Sequence, residues 1–124
     1  MSFAAARYRS ASVETASPVR VVVMLYDGAI RFLRGAAQAM EEKDVAKKGE
    51  QLHRAHAIVS ELQATLDEKQ SPELCDQLSR LYDFVLDRIG QANMKGDPEL
   101  LGPAVNVLLE LRSAWSQVAE EMGG

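Results

Sequence analysis

Residues able to bind a metal ion or act in catalysis are few in this chain of 124 residues. Glu50 and His53 have the Glu-x-x-His spacing of carboxylate di-iron bundles, and His56 follows three residues later. Such a centre needs that motif from two helices and a glutamate from each of two others. The two histidines of this chain belong to one predicted helix, on which Glu50 and His53 point away from the apolar Leu52. We therefore expect no metal site.

The single cysteine, Cys75, excludes an internal disulfide and is typical of a protein from a reducing compartment. It lies beside an apolar stripe with no histidine or second cysteine near it in sequence, which favours a structural thiol. The sequence also has no glycine-rich phosphate loop and no nucleophile elbow. These observations predict neither enzymatic activity nor a cofactor.

The composition is typical of one folded domain, with 47% hydrophobic and 26% charged residues. The formal net charge of -4 argues against a nucleic-acid-binding protein, which needs a basic face. The longest strictly apolar run, residues 21–26, is far too short to span a membrane. The N-terminal segment has no apolar core of the kind found in secretion signals. We therefore expect a soluble, cytoplasmic protein that does not insert into membranes.

Apolar residues recur at helical spacing in four segments, and no segment shows strand-type alternation. The predicted helices are 18–42, 44–66, 72–93 and a last one that begins near Gly102, after a short helical turn from Pro98. Asp44 and the pairs Ser17-Pro18 and Ser71-Pro72 are typical helix starts. Because the connections are short, the fold class expected is all-α, an antiparallel four-helix bundle over residues 17–124. Residues 1–16 are interpreted as a mobile N-terminal arm.

The apolar stripes are wider than a simple bundle requires. On the first helix the stripe and its flanks span roughly 200°, against about 100° for an ordinary core-facing helix. Its residues are Val22, Tyr26, Ala29, Ile30, Leu33, Ala37 and Met40, flanked by Val21, Leu25 and Phe32. The third helix is similarly wide, and the last is widened around Trp115. We interpret this surplus as surface reserved for a partner.

Four sequence blocks give the chain a family resemblance. They are Thr15-Ala16-Ser17-Pro18 with Met24-Leu25-Tyr26-Asp27-Gly28-Ala29; Arg54-Ala55 with Ile58, Leu62 and Leu66-Asp67; Leu81-Tyr82-Asp83; and Ala92-Asn93, Asp97, Leu108-Leu109-Glu110-Leu111-Arg112 and Ala114-Trp115. In order and spacing they resemble the FliS family of flagellar secretion chaperones, over residues 8–115. One departure is Gln70-Ser71-Pro72, where members often carry a glycine pair, and it affects the loop more than the function.

The resemblance implies a binding protein without catalysis. Such chaperones hold the unstructured C-terminal segment of flagellin in the cytoplasm, prevent its premature polymerisation and present it to the flagellar type III export apparatus. A bundle with wide apolar stripes is compatible with this role, because it can supply grooves for amphipathic helices. The alternative is a helical homodimeric structural or interaction module with no flagellin role, because sequence alone does not separate a homodimer face from a groove.

Ten residues are the candidate partner contacts: Tyr8, Val13, Met24, Leu25, Tyr26, Phe32, Tyr82, Phe84, Leu86 and Asn93. Leu25, Phe32, Phe84 and Leu86 lie outside the minimal stripes, and Met24 lies among charges. Tyr26 and Tyr82, at stripe edges, are equally compatible with plain core tyrosines. Asn93 is also compatible with a residue that simply ends a helix. Trp115 lies at a stripe position, which favours a core residue over a partner contact. The resemblance implies that Tyr8 and Val13 belong to an arm covering part of the flagellin groove, and we hypothesise that Tyr8 acts as its gate.

Overall fold

The computed structural model describes residues 18–67, 69 and 71–123, and these form four helices. They are α1 (Pro18–Glu41), α2 (Val45–Ala64), α3 (Pro72–Lys95) and α4 (Gly102–Glu121), with a 3₁₀ turn at Pro98–Leu101 before α4. No strand occurs in this part of the chain. The predicted helices are confirmed, with α2 ending two residues early and α3 continuing two residues further. The expected arm and the Ser17 cap lie outside the described residues.

The helices occupy the corners of a square. α1 and α3 each pack against both α2 and α4, so that α1 lies diagonally across from α3. Each connection is short, which makes neighbours in sequence antiparallel. Cross-helix contacts agree, because Gln63 of α2 bonds to Ser79 near the start of α3 while Lys48 reaches the Asn93 carbonyl near its end. The predicted antiparallel four-helix bundle is confirmed.

The turn between α1 and α2 is closed by backbone hydrogen bonds. The N–H of Asp44 donates to the Ala39 carbonyl at 2.9 Å, and the N–H of Lys43 donates to Met40 at 3.2 Å. This is the Schellman pattern, which needs one residue with positive φ, and here Lys43 takes that role at 59°. Asp44 then caps α2, as predicted, by accepting from the Lys47 N–H at 3.1 Å.

The turn between α3 and α4 joins a left-handed glycine to a capped 3₁₀ turn. Gly96 adopts a left-handed conformation at φ 64° and ends α3. The Asp97 carboxylate accepts from the Glu99 N–H at 3.0 Å and caps the 3₁₀ turn. Pro103 lies in the first turn of α4, where its missing N–H leaves no helical bond unmade.

α1 buries an arc about as wide as its predicted stripe and flanks together. Its buried residues span about 220° of the helix circumference at 100° per residue; they are Val23, Leu25, Tyr26, Gly28, Ala29, Ile30, Leu33, Ala36 and Ala39. Gly35 lies against Gln51 of α2 on one side, and Asp27 bonds to Arg112 of α4 on the other. Most of the width that was interpreted as partner surface therefore packs inside the bundle.

A polar contact crosses the centre of the bundle. The hydroxyls of Tyr26 and Tyr82 hydrogen-bond to each other across the α1–α3 diagonal. Tyr26 also has a side-chain hydrogen bond with Trp115, whose indole N–H is a donor only. Burial raises the pKa of Tyr26, an effect partly offset by these two bonds, and raises the pKa of Tyr82 strongly. Both tyrosines are therefore neutral at physiological pH.

Candidate functional site

Exposed apolar side chains concentrate on one side of the bundle. Among large hydrophobic residues, Leu74 is 49% exposed, Leu81 37%, Val118 36% and Met122 64%. Half-buried apolar residues continue the same surface towards the core; they are Phe84, Val107, Leu111 and Trp115. We call these eight residues the α3–α4 groove. The other exposed large hydrophobics are Met24, Val45, Met94 and Leu109.

Bonds to neighbouring helices show which sides of α3 and α4 form the groove. Ser79 and Asp83 accept from Gln63, so they mark the side of α3 that faces α2. At 100° per residue, Leu74 and Leu81 fall on the opposite flank, towards α4. Arg112 bonds to Asp27 and marks the side of α4 that faces α1. The apolar residues of α4 fall on its other flank, so the two sets border one seam.

The groove is long enough for a short helix. Because α3 and α4 are antiparallel, Leu74 near the start of α3 and Met122 just after α4 lie at the same end of the bundle. At about 1.5 Å per residue, the apolar flank runs roughly 15 Å along α3 and roughly 22 Å along α4. This length corresponds to about 10 to 15 residues of a helical partner laid along the seam.

Charged side chains accompany the groove on both helices. Glu73 on α3, and Glu110 and Glu121 on α4, fall at the outer edges of its two flanks by helical position. Arg88 lies on the groove flank of α3 between Leu81 and Phe84, with its guanidinium 5.1 Å from the centroid of the Phe84 ring. The groove thus combines an apolar floor with charges of both signs.

Three of the predicted contact residues lie in the core. Leu25 is 5% exposed, Tyr26 is fully buried and Tyr82 is 2% exposed. The assignment of Leu25 to a surplus flank is wrong, because α1 packs against two helices and needs the wider arc. For Tyr26 and Tyr82, the structure has the core arrangement that the sequence left open. None of the three offers a surface to a partner in this conformation.

The remaining predicted contacts lie on different sides of the bundle. Phe84 belongs to the groove, whereas Leu86 packs against the core on the flank of α3 nearer α2. The Phe32 ring lies beneath the guanidinium groups of Arg31 and Arg54, at 5.2 and 5.7 Å from its centroid. Met24 and Asn93 are exposed, and Tyr8 and Val13 lie outside the described residues. The candidates do not converge on one site.

Sequence reasoning missed most of the groove. Leu74, Leu81, Val118 and Met122 were not among the predicted contacts, yet all four are exposed. On α3, burial of Tyr82 turns the adjacent Leu81 outward, because successive residues lie 100° apart on a helix. The sequence does not indicate which helix faces each flank, so it could not separate these residues from the core.

The residues considered for metal binding and thiol chemistry can now be placed in the structure. Glu50, the first residue of the Glu-x-x-His match, forms an ion pair with Arg54 at 3.2 Å. Over the described ranges, no three histidine, cysteine or acidic side chains are grouped so that they could hold a metal ion. Within those ranges, no helix is both long and apolar enough to cross a membrane. Cys75 is buried with a free thiol.

The four-helix fold is shared with a protein of known structure. A solved structure described as a flagellar chaperone from bacteria superimposes with a TM-score of 0.79, covering 95% of this chain and 96% of that one. The two sequences are 22% identical, so this similarity establishes the shared fold alone.

Sequence comparisons give the particular family. The family model described as flagellar protein FliS matches residues 1–122. The flagellar secretion chaperone FliS of Bacillus subtilis is 37% identical over 113 residues, covering 91% of this chain and 84% of that protein. The FliS of Vibrio cholerae is 36% identical over 118 residues, covering 92% and 87%. This chain belongs to the FliS family, a family of flagellar secretion chaperones and not of enzymes.

The residues that carry the family resemblance meet inside the bundle. Tyr26 of the first block bonds to Tyr82 of the third and to Trp115 of the fourth. Asp27 of the first block accepts from Arg112 of the fourth, at 2.7 Å from Nε. In this structure these signature side chains hold α1, α3 and α4 together, and Trp115 also belongs to the groove.

Proposed function

We propose that this chaperone binds the C-terminal segment of flagellin in the cytoplasm, prevents its premature polymerisation and presents it to the flagellar type III export apparatus. Membership of the FliS family supports a flagellar export role. The observation that carries the binding step is the exposed α3–α4 groove, with Leu74, Leu81, Val118 and Met122 open to solvent.

The groove suits a segment that folds as it binds. An amphipathic segment can lay its apolar face between two helices, with anchors at i, i+3, i+4 and i+7. Ordering such a segment costs about 2–5 kcal/mol, so the contact must bury substantial apolar area. The half-buried Leu111 and Trp115 extend the exposed residues into a continuous apolar floor.

Titration calorimetry of the full chain with the C-terminal segment of its own organism's flagellin tests this function. We expect one-to-one binding with a large negative heat-capacity change, because apolar surface is buried as the segment folds. No detectable binding to a chain shown to be folded would contradict the flagellin proposal.

Two matched variants locate the contact. Leu81 in the groove and Leu109 on the opposite flank of α4 are both 37% exposed. Leu81→Glu should weaken flagellin binding by about tenfold or more, because it places a charge in an apolar contact. Leu109→Glu should change the affinity by less than about twofold. Equal effects of the two substitutions would exclude the groove as the contact, whatever the affinity of the parent chain.

We also propose that Tyr8 and Val13, outside the described residues, belong to an arm that covers the binding surface until flagellin displaces it. Deleting residues 1–12 should then raise the affinity or the association rate in the same titration. Tyr8→Ala in the full chain should reproduce part of the gain. Unchanged or weaker binding by the deletion variant would contradict the gate.

The alternative, a homodimeric module, has one observation in its favour, since an exposed apolar groove also suits a second copy. Light scattering with and without the flagellin segment separates the two functions. A stable dimer that flagellin leaves undisturbed would favour the structural module, whereas conversion to a one-to-one complex would favour the chaperone.

A further inference from the structure

An arginine lies at one end of the α3–α4 groove. Arg88 is about 21 Å along α3 from Leu74, and Val107 is about 22 Å along α4 from Met122, so Arg88 and Val107 are level. The 3₁₀ turn that follows α3 packs against it at this end of the bundle. Arg88 therefore marks the end of the groove next to the turn, and Leu74 marks the opposite end.

Arg88 is half-buried and has no polar partner for its guanidinium among the described residues. Its one recorded contact is the Phe84 ring, at 5.1 Å from the centroid. No ion pair joins it to another described residue, Glu110 on the opposite helix included. Arg80, in contrast, points outward from α3 with its side chain 80% exposed, and it pairs with Asp76 at 3.1 Å.

A segment that covers this end of the groove must bring hydrogen-bond acceptors with it. A guanidinium has five N–H donors, and removing water from charged donors without replacing it is costly. The C-terminal end of a helix supplies acceptors, because its last four backbone carbonyls have no partner within the helix. A carboxylate at that end adds two oxygens in the planar arrangement that a guanidinium binds best.

The direction of a bound helix is decided at the Arg88 end. The C-terminal end of a helix carries the negative end of its dipole, which a cation stabilises. At the opposite end of the groove, the N-terminal end of α3 and the C-terminal end of α4 lie together, and their dipoles have opposite signs. That end therefore does not set a direction of its own.

We propose that Arg88 binds the C-terminal end of an amphipathic helical segment in the groove, through a carboxylate in the last turn of the segment or at its terminus. The segment then runs from Leu74 and Met122 at its N-terminal end to Arg88 at its C-terminal end. This inference rests on the proposed function, because it names the anchoring chemistry and the direction of the export-cargo segment.

Two other occupants match Arg88 less well. The chain's own residues 1–17 carry Arg7 and Arg9 against Glu14, a net charge of +1, so they bring mostly like charge to this end of the groove. A second copy has the four described helices packed in its own bundle, so none of them is available to lie along the seam.

Synthetic helical peptides of about 15 residues, titrated into the full chain, test the proposal. They contain no tryptophan, share a leucine stripe at i, i+3, i+4 and i+7, and are amidated at the C-terminus. One has glutamate in its last turn, one has glutamine at that position, and one has glutamate in its first turn. Trp115 is the single tryptophan of the chain and belongs to the groove, so its emission reports binding there.

We expect the last-turn glutamate to bind at least about fivefold more tightly than the glutamine at the same position. A free-acid form of the glutamine peptide tests the terminal carboxylate in the same way, so the two comparisons separate the two sources of the carboxylate. No preference in either comparison would overturn the proposal. A tighter complex with first-turn glutamate that depends on Arg88 would also overturn it, because the helix would then run in the other direction.

Arg88→Gln and a matched control assign the preference to one side chain. Arg88→Gln should reduce the preference to less than about twofold, whereas Arg80→Gln, which removes the same charge from the outward face of α3, should leave it intact. Each preference compares peptides on both the parent chain and the variant, so differences in peptide helicity cancel. Equal loss in the two variants would show a general charge effect and overturn the proposal.

Parallel titrations with the flagellin segment keep the two proposals separate. If flagellin binds while the peptides show no preference that depends on Arg88, the Arg88 proposal is overturned and the flagellin proposal stands. If the preference is observed while flagellin does not bind, the Arg88 proposal stands and the flagellin proposal falls. A peptide of residues 1–17 that binds the groove more tightly than the carboxylate peptides, or a dimer that Leu81→Glu dissociates, would assign the groove to another occupant and overturn the Arg88 proposal.

Discussion

α1 and the pair α3–α4 carry similarly wide apolar faces and use them differently. On α1 the apolar face is buried against neighbouring helices, from Val23 on one flank to Ala39 on the other. On α3 and α4 part of the face remains in solvent, with Leu81 and Met122 among the exposed residues. The width of an apolar stripe alone therefore does not distinguish a core helix from a binding surface.

The difference follows from the size of the side chains along each seam. α1 presents Gly28, Gly35 and Ala39 towards α2, and small residues let two helix backbones approach along their length. α3 and α4 present Leu81, Phe84 and other bulky side chains to their shared seam, and their backbones approach over a shorter stretch. A seam of large side chains is left partly open as a groove.

The largest effect is expected when one leucine is replaced in each region. Leu25→Ala should lower the free energy of unfolding by about 2–4 kcal/mol, because the side chain is buried and its removal leaves a cavity. Leu81→Ala should cost less than about 1 kcal/mol and instead weaken flagellin binding. Chemical denaturation and calorimetry of the same two variants measure both effects. A larger stability loss at Leu81 than at Leu25 would reverse our assignment of core and groove.

Alkaline pH should weaken the core that α1 shares with α3. Burial raises the pKa of Tyr26 and Tyr82 above the ordinary value of 10.0, so the unfolded chain loses these protons first. Above about pH 10 the unfolded state binds fewer protons than the folded state, and stability falls as the pH rises. The slope approaches about 1.4 kcal/mol per pH unit for a tyrosine that is ionised in the unfolded state and protonated in the folded state.

Denaturation between pH 9 and pH 11 measures that slope. The double variant Tyr26→Phe/Tyr82→Phe should lose this part of the pH dependence, while lysine and arginine contributions stay the same in both chains. An unchanged slope in the double variant would show that the two hydroxyls are not the groups responsible.

Removing the Tyr26 hydroxyl and removing the Tyr82 hydroxyl should lower the free energy of unfolding by different amounts. Tyr26→Phe leaves the Tyr82 hydroxyl buried without its Tyr26 partner and should cost about 1–3 kcal/mol. Tyr82→Phe should cost less, because Tyr26 keeps its bond with Trp115. The double variant should cost less than the sum of the singles, which a double-mutant cycle measures. Strictly additive costs would contradict a direct bond between the hydroxyls.

Helix positions and caps were predictable because their causes are local. Asp44, Pro72 and Gly102 act through the backbone of their own turns, and α2, α3 and α4 begin where the sequence indicated. The division of apolar residues between core and surface was not predictable, because it depends on which helix faces each flank. Leu25 was predicted at the surface and is buried, whereas Leu81 was not among the predicted contacts and is exposed.

The smallest effect expected concerns the ion pair that ties α1 to α4. Arg112 bonds to Asp27 through Nε at 2.7 Å and Nη2 at 3.4 Å, and the hydrogen bond with Asp27 raises the pKa of Arg112. The two side chains are 40% and 46% exposed, so solvent screening limits the coupling to about 0.2–1 kcal/mol. A double-mutant cycle with Asp27→Asn and Arg112→Gln measures it.

The local pair Asp76–Arg80 is the matched control for that cycle, since both its side chains are more exposed, at 62% and 80%. We expect a coupling below about 0.5 kcal/mol there, and a decrease of both couplings as salt rises. A coupling above about 2 kcal/mol for Asp27–Arg112 would mean that charge, and not the apolar packing of Val23 and Ile30, closes the seam between α1 and α4. The α1–α4 seam would then be closed by an ion pair. Within the described residues, the open α3–α4 seam has no such pair.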